Sequence, residues 1–236
     1  MDTGFLITAF VTLVVIIDPV GMTPLFVALT QGMTNARRRA IALRACITSA
    51  LILVVFAAFG EAVLGFIGIS MPAFRIAGGI LLFLTALDML FERRSKRRKS
   101  QADEAEEEDD SDDPSIFPLA IPLIAGPGAI ASVILLAGQR PGLEGLAWVI
   151  GVMLSVLVIV FVLFLTAGLL EKALGRTGIN VVTRLLGMLL VVLPILSALF
   201  GVSVVFERSA PLDELGILKR RLIIGASALI VSIRQL

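Results

Sequence analysis

The chain of 236 residues is 58% hydrophobic and has a mean hydropathy of +1.01, far above the values of soluble globular proteins. It has no histidine and one cysteine, Cys46, which excludes imidazole-based metal clusters, intrachain disulfides and histidine-activated nucleophiles. The formal net charge of +1 hides a sorting of the charges into blocks. The composition therefore predicts an integral membrane protein.

In chain order, apolar runs separated by charged or helix-breaking residues predict an all-α integral membrane fold with six transmembrane helices. A hydrocarbon core of about 30 Å needs roughly 20 apolar residues in a helix, and most of the runs reach that length. The alternating pattern of a membrane β-barrel is scarce. The predicted spans are residues 5–29, 45–67, 76–91, 116–137, 146–170 and 185–206.

Prolines and glycines interrupt the first and fourth spans. Residues 18–24 read Asp-Pro-Val-Gly-Met-Thr-Pro, and residues 126–128 read Gly-Pro-Gly. Such residues free backbone groups that lipid cannot satisfy, so they are tolerated at membrane depth only beside protein or a watery cavity. We therefore expect both spans to be broken near the bilayer centre, with the breaks facing each other at a binding site.

The two halves of the chain resemble each other, with matched residues at offsets of 108 to 110 positions. Three spans per copy is an odd number, so the second copy must enter the membrane from the opposite side. This predicts two inverted three-helix repeats, residues 1–92 and 116–206, which favours alternating access. A duplication retained for packing alone is the alternative. Among the pairs are Pro19 with Pro127, Glu61 with Glu171, and Arg75 with Arg184.

A charged segment separates the two halves. Six basic residues between Arg93 and Lys99 are followed by nine acidic residues from Asp103 to Asp113. This composition predicts a poorly ordered cytoplasmic linker, residues 93–115, whose basic half lies at the lipid headgroups and whose acidic half extends into water. A regulatory or partner-binding role for the segment is the alternative.

The distribution of lysine and arginine predicts the orientation. The loops on the linker side carry thirteen of these residues, whereas the opposite loops carry only Arg75 and Arg140. The positive-inside rule places the rich side in the cytoplasm and both termini outside. Residues 207–236 fit this rule poorly, because they carry five basic residues and a short apolar run, so we treat them as an atypical C-terminal tail.

Four stretches of the sequence resemble the signature segments of the MarC family of six-helix inner-membrane proteins, over about residues 5–192. They read DPVGMTPLFVALTQGM, GISMPAFRIAGG, PLAIPLIAGPGAIASVI and GINVVTRLLGMLL. The resemblance implies a multi-pass protein of a bacterial or archaeal cytoplasmic (inner) membrane that transports small neutral amino acids. Beyond Pro194 the chain departs from the family pattern.

Asp18 is the leading candidate for a functional residue. It stands near the middle of the first span, where a charged carboxylate costs at least about 2.5 kcal/mol. It could bind a substrate ammonium group, coordinate Na⁺ or carry a proton. Alternatively, and compatibly, it caps the half-helix that starts near Pro19.

A small zwitterionic solute suits the two breaks together. A half-helix that begins after residues 126–128 would direct backbone N–H groups and a partial positive charge towards a solute carboxylate. The ammonium group would then lie at Asp18 or at freed carbonyls. Thr23 and Ser132 offer hydroxyls one turn beyond the breaks, although hydrogen bonds within the helix are the more usual use of such residues. The candidate substrate- or ion-binding residues are Asp18, Pro19, Gly21, Thr23, Pro24, Gly126, Pro127 and Gly128.

Arg75 and Arg184 begin spans three and six at matched positions, and we consider both as gating residues. Each could pair with the acidic residue of its own half, Glu61 or Glu171. Snorkelling of the arginines to lipid headgroups is the alternative. A glycine follows each arginine one turn later, which favours close helix approach there.

A secondary transporter of small neutral amino acids, working by alternating access, is the function that these features favour. An exporter of another small solute or drug, or a non-transporting membrane scaffold, is the alternative. We expect no enzymatic activity, no cofactor, no metal site and no nucleic-acid partner, and no phosphate-binding loop for ATP is present. The expected partners are the lipid bilayer and a small zwitterionic solute. The coupling ion, H⁺ or Na⁺, stays open, as do the oligomeric state and the direction of transport.

Overall fold

The computed structural model describes residues 3–98, 100, 113–170, 173–175, 177–188 and 190. Within these residues every regular element is helical, which confirms the predicted all-α class for this part of the chain. Further helical residues follow α4 at 93–98 and occur at 167–170 and 177–188. The elements are α1 (Thr3–Ile17), α2 (Pro19–Leu29), α3 (Asn35–Phe66), α4 (Met71–Leu90), the irregular segment α5 (Ser115–Ile124), α6 (Pro127–Ala137) and α7 (Leu143–Leu165).

Four helical stretches among the described residues are long and apolar enough to cross a membrane: Thr3–Leu29, Asn35–Phe66, Met71–Leu90 and Leu143–Leu165. The segments α5 and α6 would together form a fifth, bent by 57°. The first five predicted spans fall on these segments. Most of the sixth, residues 185–206, lies outside the described residues, so the number of six spans and the inverted repeat stay predictions.

Local capping explains why α3 and α4 begin where they do. The Thr34 side chain accepts a hydrogen bond from the Arg37 N–H at 3.3 Å, and the Ser70 side chain accepts one from the Ala73 N–H at 3.4 Å. Hydroxyl caps of this kind satisfy donors that the first turn leaves without a helical partner. Helix α3 therefore begins at Asn35, ten residues before the predicted span at residue 45.

The helices pack through small residues and one aromatic pair. Helix α3 packs against α5, α6 and α7, while α1 packs against α6 and α7. A Cβ atom at Gly60 of α3 would lie 2.5 Å from the Ile134 side chain of α6, so glycine permits this close approach. The rings of Phe26 in α2 and Phe164 in α7 stack with their centroids 4.3 Å apart.

The long helices also expose large apolar side chains. Leu51 and Phe59 of α3 and Val158 and Val162 of α7 are all exposed. In water such surfaces would favour aggregation or partner binding, whereas lipid solvates them without cost. The exposed apolar faces are therefore those expected of helices in a bilayer.

The basic segment after α4 lies in an unexpected place. Arg94 and Arg98 are only 7% and 6% exposed, although the sequence predicted that this half of the linker lies at the headgroups. Both guanidinium groups instead donate hydrogen bonds to the end of α1. The sequence prediction was wrong for these two side chains because it treated every basic residue of the run as solvated. The acidic half of the linker, apart from Asp113, lies outside the described residues.

Candidate functional site

Asp18 forms the first helix break by ending one helix and starting the next. Its backbone is left-handed, with φ 55° and ψ 65°. Its N–H donates to the Val14 carbonyl at 2.8 Å, and its own carbonyl accepts from the Met22 N–H at 3.1 Å. The carboxylate Oδ1 accepts a hydrogen bond from the Gly21 N–H at 3.1 Å, so the capping role considered for Asp18 is present.

The residues that follow Asp18 shape this cap. Gly21 leaves room for the carboxylate, since a Cβ atom there would lie 2.1 Å from Asp18 Oδ2. Pro19 opens α2, and Pro24 lies inside it and cannot donate to the carbonyl of Val20. The buried Thr23 hydroxyl donates to the Pro19 carbonyl at 3.1 Å, which is the intrahelical hydrogen bond that the sequence suggested.

Two arginines that belong to neither α1 nor α2 bind to the groups at the first break. Arg98 Nη1 lies 3.1 Å from Asp18 Oδ2, and Arg98 Nη2 donates to the Ile17 carbonyl at 2.9 Å. Arg94 donates to the Ile16 carbonyl. The last carbonyls of a helix lack helical donors and carry a partial negative charge, so two cations at this end are favourable.

The second break, between α5 and α6, has a different construction. Gly126 precedes α6 in an extended conformation, and no side chain caps the helix. A Cβ atom at Gly126 would lie 2.4 Å from the backbone oxygen of Pro122, so only glycine fits without movement. The Ser132 hydroxyl donates to the Gly128 carbonyl at 2.7 Å, as Thr23 does to Pro19 after the first break. The N–H groups at the start of α6 therefore meet no side-chain acceptor among the described residues.

The second break lines one cavity of about 310 Å³ together with Ile16 at the end of α1, whereas Asp18, Pro19, Gly21, Thr23 and Pro24 do not line it. A Cβ atom at Gly128 of the second break would lie 3.4 Å from Ile16 Cγ2. The second break therefore lies beside the end of α1, and the expectation that the two breaks face each other near the bilayer centre stays a prediction. The lining residues with polar or backbone groups relevant to binding are Thr85, Arg94, Arg97, Arg98, Gly126, Pro127 and Gly128.

The charged residues that line the cavity are all positively charged. Three arginines and the start of α6 line it, and among the described lining residues there is no carboxylate. Asp18 is 1% exposed and lies behind Arg98, while Arg97 is paired with Asp88 at 2.8 Å. This arrangement suits an anionic group such as a carboxylate, and in this conformation Arg98 occupies the position expected for a solute ammonium group at Asp18.

Comparison with known proteins decides the family. A model of the MarC family of integral membrane proteins matches residues 3–206. The chain belongs to the MarC family. It is 37% identical to the membrane protein YvbG of Bacillus subtilis (strain 168) over 190 residues, which are 80% of this chain and 90% of that relative.

Other relatives span bacteria and archaea. The inner membrane protein YhgN of Escherichia coli (strain K12) is 36% identical over 189 residues, covering 79% of this chain and 90% of the relative. The membrane protein MJ1677 of Methanocaldococcus jannaschii is 35% identical over 190 residues, covering 80% and 92%. No solved structure matches the chain. The family and these relatives identify this chain as an integral membrane protein, and the names of the relatives state no substrate.

The two arginines considered as gates in this MarC-family chain lie away from the cavity lining. Arg75 Nη2 donates to the Gly138 carbonyl at 3.3 Å, and Arg184 Nη2 lies 2.7 Å from Glu92 Oε1. The suggested partner Glu171 is outside the described residues. Arg184 therefore bridges to the end of α4 in the first half of the chain, and its gating role stays a prediction.

The glycines that follow these arginines do permit close helix approach. A Cβ atom at Gly78 would lie 2.9 Å from Leu135 Cδ1, and one at Gly187 would lie 2.8 Å from Met89 Cβ. This confirms the packing expected from the sequence at both positions.

Thr85 of α4 reaches the cavity one turn beyond Leu81, which also lines it.

Sequence reasoning missed the arginines as site residues. Arg94 and Arg98 are four positions apart and so lie on one face of the helical stretch 93–98. That spacing indicated that the two side chains could bind to the same part of the protein. It was hidden because Arg93 precedes the two residues and Lys96 and Arg97 lie between them, which gives the run the composition of a solvated linker.

Proposed function

We propose that this MarC-family protein is a secondary transporter that moves a small solute across the cytoplasmic membrane by alternating access. The observation that carries the proposal is that the second helix break and the end of α1 line one cavity of about 310 Å³. Broken helices whose freed backbone groups face a shared cavity are the usual construction of solute sites in secondary transporters. The cavity volume suits a solute of a few heavy atoms.

The solute carries a carboxylate in this proposal. The uncapped start of α6 supplies N–H groups and a partial positive charge, and Arg94 and Arg98 add two buried cations at the same cavity. Small neutral amino acids meet this requirement, with the carboxylate at residues 126–128. Their ammonium group would bind at Asp18 or at the last carbonyls of α1 once Arg98 has left them.

The proposal of alternating access rests on two predictions, the inverted repeat and the cytoplasmic position of the linker. The exposed Arg97 lines the cavity beside the start of the linker. With that side in the cytoplasm, the described conformation faces inward. The driving force is a gradient of H⁺ or Na⁺, and the proposed cycle uses no covalent chemistry and no cofactor.

Transport by the purified full-length protein in liposomes tests the proposal. Labelled alanine, serine and glycine are offered with an H⁺ gradient, a Na⁺ gradient or neither. Lactate and alaninamide are used as competitors, because lactate keeps the carboxylate of alanine and alaninamide keeps only its ammonium group. We expect uptake of at least one amino acid, with stronger competition by lactate than by alaninamide.

A pair of glycine variants ties the uptake to the cavity. Gly128→Val fills the space beside Ile16 and Thr85, whereas Gly151→Val in α7 adds the same side chain where no other atom lies within 4 Å. We expect Gly128→Val to abolish uptake and Gly151→Val to leave it intact. Uptake that survives Gly128→Val, or none above empty liposomes for any solute in the panel, contradicts the proposal.

A further inference from the structure

The guanidinium group of Arg98 occupies a ring of oxygen acceptors that could serve another cation. Asp18 Oδ2 lies 3.1 Å from Nη1, and the Ile17 carbonyl accepts from Nη2 at 2.9 Å. The Ile16 carbonyl accepts from Arg94 beside them. A carboxylate together with the freed carbonyls at the end of a half-helix is the ligand set with which membrane transporters hold small cations.

Arg98 enters this ring from a segment that does not belong to α1 or α2. It lies eight residues beyond the end of α4, in the helical stretch 93–98. Its neighbour Arg97 is 59% exposed and pairs with Asp88. One face of the stretch therefore reaches the protein interior and the other reaches the surface, so an outward displacement of the stretch would take Arg98 away from Asp18.

We propose that Arg98 is a resident counter-cation of Asp18, holding a site that a small monovalent cation takes when the stretch 93–98 withdraws. The cation is either the ammonium group of the solute or Na⁺, and in this respect the inference rests on the proposed transport function. Withdrawal alone would leave a buried carboxylate uncompensated, which is strongly unfavourable. Exit of Arg98 and entry of the cation are therefore one exchange.

The exchange is tested with purified full-length protein in detergent by chemical rescue of Arg98→Ala. Its Tm is measured in methylammonium, sodium and methylguanidinium chloride, each against N-methylglucamine chloride at equal ionic strength. We expect a lower Tm than in the parent and recovery by several degrees in methylammonium or in sodium, with no recovery in the bulky N-methylglucamine. Recovery in methylammonium identifies the solute ammonium group as the exchanging cation, and recovery in sodium identifies the coupling ion.

Two controls make the result specific to Asp18. Arg93→Ala removes an exposed neighbouring cation whose guanidinium lies over the Phe91 ring at 6.0 Å, and its Tm should be equal in all four salts. The double variant Asp18→Asn/Arg98→Ala lacks the carboxylate and should also show no recovery. If Arg98→Ala cannot be purified, Arg98→Gln replaces it in both the single and the double variant.

Three outcomes overturn the inference. They are no recovery in any salt, equal recovery with and without the Asp18 carboxylate, and recovery in methylguanidinium alone, which identifies a fixed structural bridge. The Tm assay does not measure transport, so a negative result in it does not contradict uptake measured in liposomes. Equally, if no amino acid is taken up, the rescue of Arg98→Ala can still be interpreted.

Discussion

The two helix breaks differ in how the backbone groups at the helix ends are capped. At the first, Asp18 caps the start of α2 while Arg94 and Arg98 donate to the last carbonyls of α1, and α1 and α2 together form one apolar span. At the second, Gly126 provides no side chain, and the helical segments are bent by 57°. The first break presents oxygen acceptors and the second presents N–H donors.

This difference teaches that similar sequences in two halves of a chain need not give equivalent sites. Both breaks place a proline at the start of the second helix, and both are followed by a hydroxyl that bonds to a carbonyl four residues earlier. The residue before the proline differs, Asp18 in one and Gly126 in the other, and so do the residues between the proline and the hydroxyl. As a result, the first break holds a buried carboxylate paired with Arg98, and the second presents uncapped N–H groups to the cavity.

The strongest effect is expected from removing the charge at the first break. Asp18→Asn keeps the capping oxygen but leaves the buried Arg98 without its carboxylate. Loss of one partner of a buried ion pair typically costs 3–5 kcal/mol, so we expect a loss of stability of about that size, together with loss of transport. Reversible unfolding in mixed micelles and liposome uptake measure the two effects.

The double variant Asp18→Asn/Arg98→Gln sharpens this prediction. It removes both charges, so it should be more stable than Asp18→Asn alone by about 1–3 kcal/mol. Strictly additive losses in the double variant would mean that the two side chains do not interact. Unchanged uptake by Asp18→Asn at every pH and sodium concentration would mean that Asp18 is only a cap.

The next effect distinguishes the two glycines that support the breaks. An alanine at Gly126 would place its Cβ atom 2.4 Å from the Pro122 carbonyl oxygen, whereas one at Gly21 would meet the Asp18 side chain. A backbone atom cannot move aside as a side chain can. We therefore expect Gly126→Ala to cost about 1–3 kcal/mol, and Gly21→Ala to cost less because the side chains of Asp18 and Arg98 can shift together and keep their ion pair.

Thermal unfolding of both variants beside Gly128→Ala checks this order. A Cβ atom at Gly128 meets Ile16, Leu82 and Thr85 only at ordinary contact distances of 3.4 to 3.9 Å, so this variant should be as stable as the parent. A larger loss for Gly21→Ala than for Gly126→Ala would show that the first break is the more rigid of the two.

Local signals in the sequence were sufficient to predict much of the architecture. Apolar runs gave the first five spans, and prolines and glycines located both breaks, because each of these signals depends on neighbouring residues alone. The start of α3 was misplaced because its exposed first turns carry arginines and extend beyond the apolar run. The sixth span and the inverted repeat need residues outside the described part of the chain.

The arginine cluster could not be predicted because it depends on contacts distant in sequence. Arg98 and Asp18 are 80 residues apart, and nothing in the composition of the linker indicates that two of its five described basic residues are buried. Burial here follows from carbonyls that the first break leaves free, which become visible only once α1 and the stretch 93–98 are placed together. The sequence therefore located the breaks and missed the cations at the cavity.

A smaller effect is expected from the hydroxyls after the two breaks. Thr23 and Ser132 each donate within their own helix, so neither hydroxyl is needed to bind a solute in this conformation. Thr23→Val and Ser132→Ala should each cost about 0.5–1.5 kcal/mol and leave the KM of transport unchanged. A raised KM in only one of the two variants would show that its hydroxyl binds the solute. The two breaks would then differ in solute binding as well as in capping.

The smallest effect concerns the entry to the second break, where Asp113 precedes α5. Burial raises the pKa of Asp113, but hydrogen bonds from Ser115 and the nearby Arg44 outweigh it and hold the pKa below the ordinary value. A carboxylate with a lowered pKa stabilises the folded state above its ordinary pKa of about 3.9, and this contribution is lost as the pH falls through the lowered value. Asp113→Asn should therefore have a slightly lower Tm than the parent at neutral pH, with the difference vanishing in acid. A Tm difference that persists unchanged below pH of about 3 would show that the charge of Asp113 does not hold the start of α5 to α3.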